Sequence, residues 1–134
     1  MAELIKGEEN GSLSFGDYTL AEKTKVKDFS HKGDLYYVKS YAETTKLEKN
    51  GMFLYESEPG TKVNGFNADG SGVAFEVESK DDAEITLGLE AEASYAVTVN
   101  GVDAGSMKTN LGGKLTLSVP TGSGEKVKVS VTKG

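Results

Sequence analysis

Several residue types are absent from this chain of 134 residues, and each absence removes a class of function. Cysteine does not occur, so a disulfide framework and a thiolate metal site are both excluded. All 15 basic residues are lysine, which leaves no guanidinium fork for phosphates or guanine edges, and the net charge is −6. We therefore expect no nucleic-acid partner and no phosphate chemistry.

Long apolar runs and helical patterns are missing as well. No segment approaches the roughly 18 apolar residues of a membrane span, and the opening residues lack the apolar stretch of a signal peptide. We expect no membrane partner, and a cytoplasmic protein if the first methionine is the natural start; a domain cut from a secreted protein would look the same. Helix-forming composition is confined to residues 20–23 and 91–93, which are too short for a stable helix.

What the chain does contain is alternation of apolar and polar residues, clearest after residue 83. Val127, Val129 and Val131 form one of the most regular runs. A period of two is the repeat of side chains on one face of a strand. The pattern predicts about ten short strands. They are expected near residues 12–20, 24–30, 35–47, 52–57, 73–78, 84–90, 94–100, 103–108, 114–119 and 126–132.

These strands predict an all-β fold in a single domain over residues 1–134. Because a half-buried antiparallel sheet must cover its apolar face with a second layer, we expect an antiparallel β-sandwich. Short strands at regular spacing are typical of a jelly roll or an immunoglobulin-like Greek key, and the number of strands favours jelly-roll-like connectivity. The paired cysteines and buried tryptophan of the immunoglobulin pattern are also absent.

Four Asn-Gly pairs predict turns between these strands. Asn50-Gly51 and Asn100-Gly101 are flanked by alternating apolar residues and predict type I′ hairpins, in which both central residues have positive φ. Asn10-Gly11 and Asn64-Gly65 predict simple turns. The apolar phase changes across Gly16-Asp17, which indicates a β-bulge in the first strand.

Residues 67–78 have the spacing of a calcium-binding loop. Asn67, Asp69 and Ser71 would be ligands at positions one, three and five, and Glu78 the ligand at position twelve. A glycine-rich hairpin is the competing interpretation, because the residues after Gly72 alternate as a strand and no helix flanks the loop. We expect no cofactor, with a calcium ion on these four residues as the alternative.

Tyrosines are concentrated in two neighbouring strands before residue 60. Tyr36, Tyr37 and Tyr41 lie in one strand, and Tyr55 lies in the strand that the Asn50-Gly51 turn pairs with it. A tyrosine ring offers an apolar face and a hydroxyl, so an exposed group of them stacks on a sugar ring or anchors a protein partner. Alternation places Tyr36 on the opposite face from Tyr37 and Tyr41, so one face is expected to be core.

Catalytic side chains are harder to find. His31, the single histidine, lies in residues 31–34, a segment typical of a turn between strands. Gly70-Ser71-Gly72 lacks the strand-to-helix setting of a nucleophile elbow. An enzyme would need converging carboxylates, for which Asp69, Glu76 and Glu78 are the best candidates. We therefore predict a protein without enzyme activity.

Two segments near the end of the chain follow a known architectural pattern. They read YAVTVNG at residues 95–101 and GKLTLSV at residues 113–119. These segments are similar to the closing strands of accessory β-sandwich domains appended to polysaccharide-degrading enzymes. The resemblance implies a β-sandwich architecture and carries over no functional residue.

Three functions are open at this point. The first is a binding or assembly module that contacts a protein, or a second copy of itself, through the sheet face with Tyr36, Tyr37, Tyr41 and Tyr55. In a homo-oligomer the apolar run at residues 52–54 would be covered. The second is a carbohydrate-binding module that stacks an oligosaccharide on these tyrosines. The third is a small enzyme that depends on carboxylates or a metal.

Overall fold

The computed structural model describes residues 4–69 and 71–133, without the side chain of Ser123. These residues form thirteen strands and one short 3-10 turn at Thr121–Ser123. The strands are β1 (Ile5–Gly7), β2 (Leu13–Phe15), β3 (Thr24–His31), β4 (Asp34–Tyr41), β5 (Thr44–Lys49), β6 (Met52–Glu58), β7 (Lys62–Asp69), β8 (Gly72–Glu78), β9 (Ala83–Gly88), β10 (Ser94–Val99), β11 (Val102–Lys108), β12 (Lys114–Val119) and β13 (Val127–Lys133).

The strands form two antiparallel sheets, which confirms the predicted all-β sandwich. Sheet 1 has seven strands in the order β1-β2-β7-β8-β13-β10-β11, and sheet 2 has six in the order β12-β9-β6-β5-β4-β3. Strands β3 to β6 follow one another as a meander, whereas β13 lies between β8 and β10. The last strand therefore completes sheet 1. Jelly-roll connectivity stays a prediction.

Strand boundaries differ from the prediction where a turn interrupts a long run. Residues 35–47 form parts of two strands, because the chain turns at Ala42 and Glu43. The first predicted strand ends at Phe15, because Gly16 has a φ of 93° and the chain leaves the sheet there. Strands β1 and β7 are missing from the predicted set. The bulge expected at Gly16-Asp17 is wrong, because β2 ends before these residues. The register shift between β2 and β7 instead places the extra residue on β7, since Leu13 and Phe15 are opposite Phe66 and Val63.

The two hairpin predictions based on Asn-Gly are confirmed. Asn50 and Gly51 have φ values of 51° and 79°, and Asn100 and Gly101 have values of 53° and 77°. Asn64-Gly65 behaves differently, since it lies inside β7 at a register shift against β8. The turn signal there marks a bulge within a strand.

The core lies between the sheets, and Tyr55 stands near its centre. Its ring from sheet 2 meets Phe15, Phe66 and Phe75 of sheet 1 with centroid separations of 5.3, 6.1 and 5.8 Å, each close to perpendicular. Edge-to-face contacts of this kind stabilise beyond the area that they bury. Aliphatic side chains from both sheets surround this aromatic group.

A chain of buried polar groups runs beside the aromatic group. Thr61 Oγ1 is hydrogen-bonded to Tyr55 Oη and to Ser57 Oγ, both at 2.8 Å. Thr45 Oγ1 donates to the Thr61 carbonyl, accepts from the Thr61 N–H, and lies 2.8 Å from Ser40 Oγ. Ser40 Oγ in turn accepts a hydrogen bond of 2.8 Å from the backbone N–H of Asp17. The loop after β2 is therefore anchored to the core.

Candidate functional site

The predicted calcium loop is only partly assembled. Asn67, Asp69 and Ser71 lie at one end of the β7–β8 hairpin, where Asp69 Oδ1 accepts from both the Ser71 N–H and the Ser71 hydroxyl. These hydrogen bonds lower the pKa of Asp69 below its ordinary value. Glu78 is opposite Lys62 in the strand register, at the far end of the hairpin, roughly 20 Å along the strand from Gly72.

The twelve-residue loop geometry is therefore not formed, because the segment after Gly72 extends as a strand and carries Glu78 away. Gly70, the fourth residue of the motif, lies outside the described residues. Within residues 4–69 and 71–133, no group of three His, Asp or Glu side chains converges to hold a metal ion. Calcium binding at this hairpin stays a prediction, and the separation of Glu78 from Asn67, Asp69 and Ser71 removes one of its four expected ligands.

The same extension separates the acids proposed for an enzyme. Glu76 is opposite Asn64 and Glu78 is opposite Lys62, whereas Asp69 is opposite Gly72 at the turn. Four residues of strand, about 13 Å, lie between the Asp69 end and Glu76. Asp69, Glu76 and Glu78 therefore do not form a common carboxylate centre.

The prediction that four tyrosines share one contact surface is wrong. Tyr55 is fully buried and Tyr36 is 8% exposed, because both point to the inner face of sheet 2. Tyr37 and Tyr41 point outward and are half-buried. They lie on opposite sides of Lys39, about 13 Å apart along β4. The Tyr41 hydroxyl donates to Glu43, so this tyrosine belongs to the turn end of the strand.

Two apolar side chains extend the outer surface around Tyr37. Leu35 is 49% exposed in the same strand, and Phe53 is half-buried on β6, one strand beyond the Glu48 that is opposite Tyr37. Lys114 Nζ lies 4.9 Å from the centre of the Phe53 ring, a cation–π contact. Leu35, Tyr37 and Phe53 are called the apolar end of sheet 2 below.

Most charges on the outer face of sheet 2 are divided between its two halves; the exceptions are Glu48 on β5, which forms an ion pair with Lys46, and Lys114 on β12. Lys25 and Lys39 are opposite each other on β3 and β4, and Lys46 is opposite Lys39 on β5. On the other half, Glu56 lies on β6 and Glu58 is opposite Glu84 of β9. Like charges directly opposite each other on one sheet face are destabilising. Each half therefore contains repulsive pairs, and the two halves are opposite in charge.

Sheet 1 has a polar cleft on its outer face, which we call the Tyr18 cleft. Its volume is about 560 Å³. Its lining includes Lys6, Asp17, Tyr18, Lys62, Asn64 and Glu78. Sequence patterns miss it, since β1, the loop after β2, β7 and β8 meet only in the folded chain. The phase change at Gly16-Asp17 is the one signal that a loop leaves the sheet there.

His31 packs beside β1, and in the described part of the chain its ring nitrogens make no hydrogen bond to a carboxylate or hydroxyl. Its Nε2 lies 3.0 Å from the Gly11 carbonyl, and its ring packs edge-on against Tyr36 with centroids 6.2 Å apart. The ring leaves no room for a side chain on Gly7, because an added Cβ there would lie 2.6 Å from His31 Nδ1. The histidine packs as a structural side chain.

Comparisons of the chain with protein-family models, with curated proteins and with solved structures found no match in any of the three. None of the helical segments among the described residues has the length and apolar character needed to cross a membrane.

Proposed function

We propose that this protein is a non-enzymatic assembly module that pairs with a second copy of itself through the outer face of sheet 2. The supporting observation is the self-complementary character of that face: an apolar end, a lysine half and a glutamate half. An interface between two identical copies requires one patch that complements itself under a two-fold rotation.

The register of the strands supports a specific arrangement. Suppose that two copies of sheet 2 face each other across a two-fold axis parallel to the strands. Each lysine half then lies over the glutamate half of the other copy, because the rotation exchanges the two sides of the sheet. Positions along the strands are kept, so the apolar ends meet. Opposite charges facing each other favour the correct orientation and suppress others.

The free chain has two unfavourable features that this pairing relieves. Lys25 and Lys39 are opposite each other without a carboxylate between them, and Glu58 is similarly opposite Glu84. Leu35 also leaves about half of its surface in water. Burial of the apolar end and neutralisation of the like-charge pairs would both stabilise the dimer.

The test is sedimentation equilibrium over a wide range of protein concentration. The wild type is expected to dimerise, and association should weaken with added salt because the charge contacts are screened. Tyr37→Ala removes part of the apolar end and is expected to weaken dimerisation by about tenfold. Burial of a large side chain contributes roughly 1.4 kcal/mol or more to the free energy of association. Val102→Ala, at a side chain 68% exposed on β11 of sheet 1, is the matched control.

Lys39→Glu separates the dimer from the fold. In the single chain this change replaces a repulsive neighbour of Lys25 with an attractive one, so the free energy of unfolding should be unchanged or rise by about 0.5 kcal/mol. Dimerisation should nevertheless fall, because the lysine half is disrupted. Lys126→Glu, with the same charge change in the connection before β13, is the control. A wild type that remains monomeric at every concentration would contradict the proposal.

A carbohydrate-binding module is the second candidate function, and the Tyr18 cleft is the observation that favours it. One aromatic ring beside a mixture of hydrogen-bond donors and acceptors is a composition that suits sugars. The cleft lies on sheet 1, so its occupant and the sheet 2 interface can be tested separately.

A further inference from the structure

The floor of the Tyr18 cleft is formed by outward side chains of β7 and β8. Lys62 and Asn64 flank Val63, and Glu78 follows Val77; both valines are fully buried. Alternation therefore points the three polar side chains away from the core and into the cleft. Its volume of about 560 Å³ lies within the range of small-molecule sites.

One polar atom at this floor has no partner. Asn64 Nδ2 is shielded from solvent and makes no hydrogen bond, which is the only such side-chain atom found in the described part of the chain. Buried polar groups almost always have partners, so an exception calls for a specific explanation. A rotation of the Asn64 side chain toward the cleft would let an acceptor on a ligand supply the missing hydrogen bond.

The wall of the cleft is held in place before any ligand binds. The Asp17 N–H donates to the buried Ser40 Oγ at 2.8 Å, and the Gly16 N–H donates to the Leu4 carbonyl at 2.9 Å. Asp17 Oδ1 accepts from the Thr19 N–H at 2.9 Å and also from the Thr19 hydroxyl. Tyr18 therefore stands on an ordered loop, and a ligand would not have to order it.

The charges of the cleft cancel. Lys6 and Lys62 supply two positive charges, and Asp17 and Glu78 supply two negative ones. Lys62 and Glu78 are opposite in register, yet within the described chain neither takes part in an ion pair. The pKa of Tyr18 is raised, first by burial and then by the charges of Glu78 and Asp17. Its hydroxyl, like that of an ordinary tyrosine, is protonated at neutral pH and can donate a hydrogen bond.

We propose that the Tyr18 cleft binds a neutral saccharide, with the ring of Tyr18 against a sugar face and hydroxyls hydrogen-bonded to Asn64, Lys62 and Glu78. A sugar hydroxyl both donates and accepts, so it satisfies ammonium, amide and carboxylate groups together. An anion would meet two carboxylates and a cation two ammonium groups, and neither gains from a cleft without net charge. This inference rests on the second candidate function above, to which it adds the class of saccharide and the contacts, and it is independent of the proposed dimer.

The test is an NMR titration of the ¹⁵N-labelled full chain with four neutral hexasaccharides built of glucose (β-1,4- and β-1,3-linked), xylose and mannose. Hexagalacturonate and inorganic phosphate serve as charged probes. At least one neutral hexasaccharide should produce saturable shifts, at concentrations up to about 10 mM, in the Asn64 side-chain amide and in the backbone amides of Thr19 and Lys62.

Variants then test the assigned contacts. Tyr18→Ala should weaken binding by about tenfold, and Glu78→Gln, which is nearly isosteric, by several-fold. Leu111→Ala and Lys126→Met are controls expected to bind as the wild type. If Tyr18→Ala loses the dispersed spectrum of a folded chain, Glu78→Gln and Lys62→Met carry the test in its place.

Three results would overturn the proposal. The first is that no neutral hexasaccharide produces a saturable shift, and the second is that only hexagalacturonate or phosphate produces one. The third is that the shifts map to Leu35, Tyr37 and Phe53. The last would assign the saccharide to sheet 2. Sedimentation of the Tyr18 variant keeps the two proposals distinct, because loss of saccharide binding should leave dimerisation unchanged.

Discussion

Tyr55 illustrates how a single residue is used differently from what its type indicates. A tyrosine in a run with other aromatic residues is a plausible contact residue, yet parity and the packing of the second sheet place this one in the core. Its hydroxyl is accommodated there because Thr61 Oγ1 lies 2.8 Å away. Burial raises the pKa of the Tyr55 hydroxyl well above its ordinary value, and the hydrogen bonds to Thr61 and Ser57 lower it by less.

Tyr55→Phe is expected to reduce the free energy of unfolding by about 1–2 kcal/mol, the cost of leaving a buried partner less satisfied. Tyr41→Phe, where the hydroxyl donates to Glu43 on the surface, should cost less than about 0.5 kcal/mol. Urea denaturation of the two variants beside the wild type measures the difference. Equal losses in both variants would show that the buried network has no special weight.

The raised pKa of the Tyr55 hydroxyl predicts that the free energy of unfolding depends on pH. The folded-state pKa of Tyr55 is raised above the unfolded value of 10.0, so the contribution of this hydroxyl to the free energy of unfolding is intact below pH 10.0. The contribution is lost as the pH rises further, because only the unfolded chain ionises readily. The wild type should therefore lose stability above that pH. The loss should be shallower in Tyr55→Phe, although Tyr18 and Tyr36, whose pKa values are also raised, keep part of it.

At the scale of elements, turns and strand edges control how the sandwich is joined. Gly16 and Gly51 both have positive φ, but their surroundings differ. A Cβ on Gly16 would lie 2.4 Å from the Thr61 carbonyl oxygen, whereas a Cβ on Gly51 would meet nothing within 4 Å. Glycine is therefore needed at position 16 for two reasons: its positive φ and the close approach of the chain segment at residue 61.

Gly51→Ala is expected to cost about 1 kcal/mol, the strain of alanine at positive φ. Gly16→Ala should cost more, about 2–4 kcal/mol, because the backbone of residue 61 must also move. Thermal or urea unfolding gives both values. The Gly16 variant should in addition displace Asp17 and Tyr18, which backbone amide shifts of residues 17–19 would reveal; a loss no larger than that of Gly51→Ala would contradict this account.

The open strand edges are each blunted, which directs association to a face. Strand β1 has three residues, and β3 carries lysines and a bulge with Asp28 at a φ of 56°. Strand β11 has a register shift near Gly105. At the edge of β12, Asn110 Oδ1 accepts from the Lys114 N–H at 3.0 Å. Short, charged, bulged or capped edges discourage pairing with further strands.

At the scale of the whole molecule, the last strand holds sheet 1 together. Strand β13 lies between β8 and β10, so both neighbours depend on it for their ladder of hydrogen bonds. Strand β11, by contrast, has one neighbour and is almost entirely exposed. Stability should therefore be concentrated around β13 and low at β11.

Val129→Ala and Val102→Ala test this distribution with the same chemical change. Val129 is 1% exposed in β13, and its truncation should reduce the free energy of unfolding by about 2 kcal/mol through lost burial and a residual cavity. Val102 is 68% exposed in β11, and its truncation should cost less than about 0.5 kcal/mol. Urea denaturation compares them, and similar costs would argue against a stability centre at β13.

The sequence by itself determined the class of fold, the faces of the strands and the two Asn-Gly hairpins. These are local properties: a period of two sets which side chains share a face, and Asn-Gly tolerates positive φ wherever it occurs. The division of Tyr36 from Tyr37 and Tyr41 belongs here, as does the aliphatic inner face of β13.

Only the tertiary structure decided which strands are neighbours, and both candidate surfaces depend on that choice. Parity does not say that Lys39 lies opposite Lys25, or that Asn64 and Glu78 line one cleft with a loop 45 or more residues earlier in the chain. Neighbours are chosen by the joint burial of two sheets and by buried partners such as Ser40 and Asp17. The physical reason is that pairing energy is non-local, whereas periodicity is a property of each strand alone.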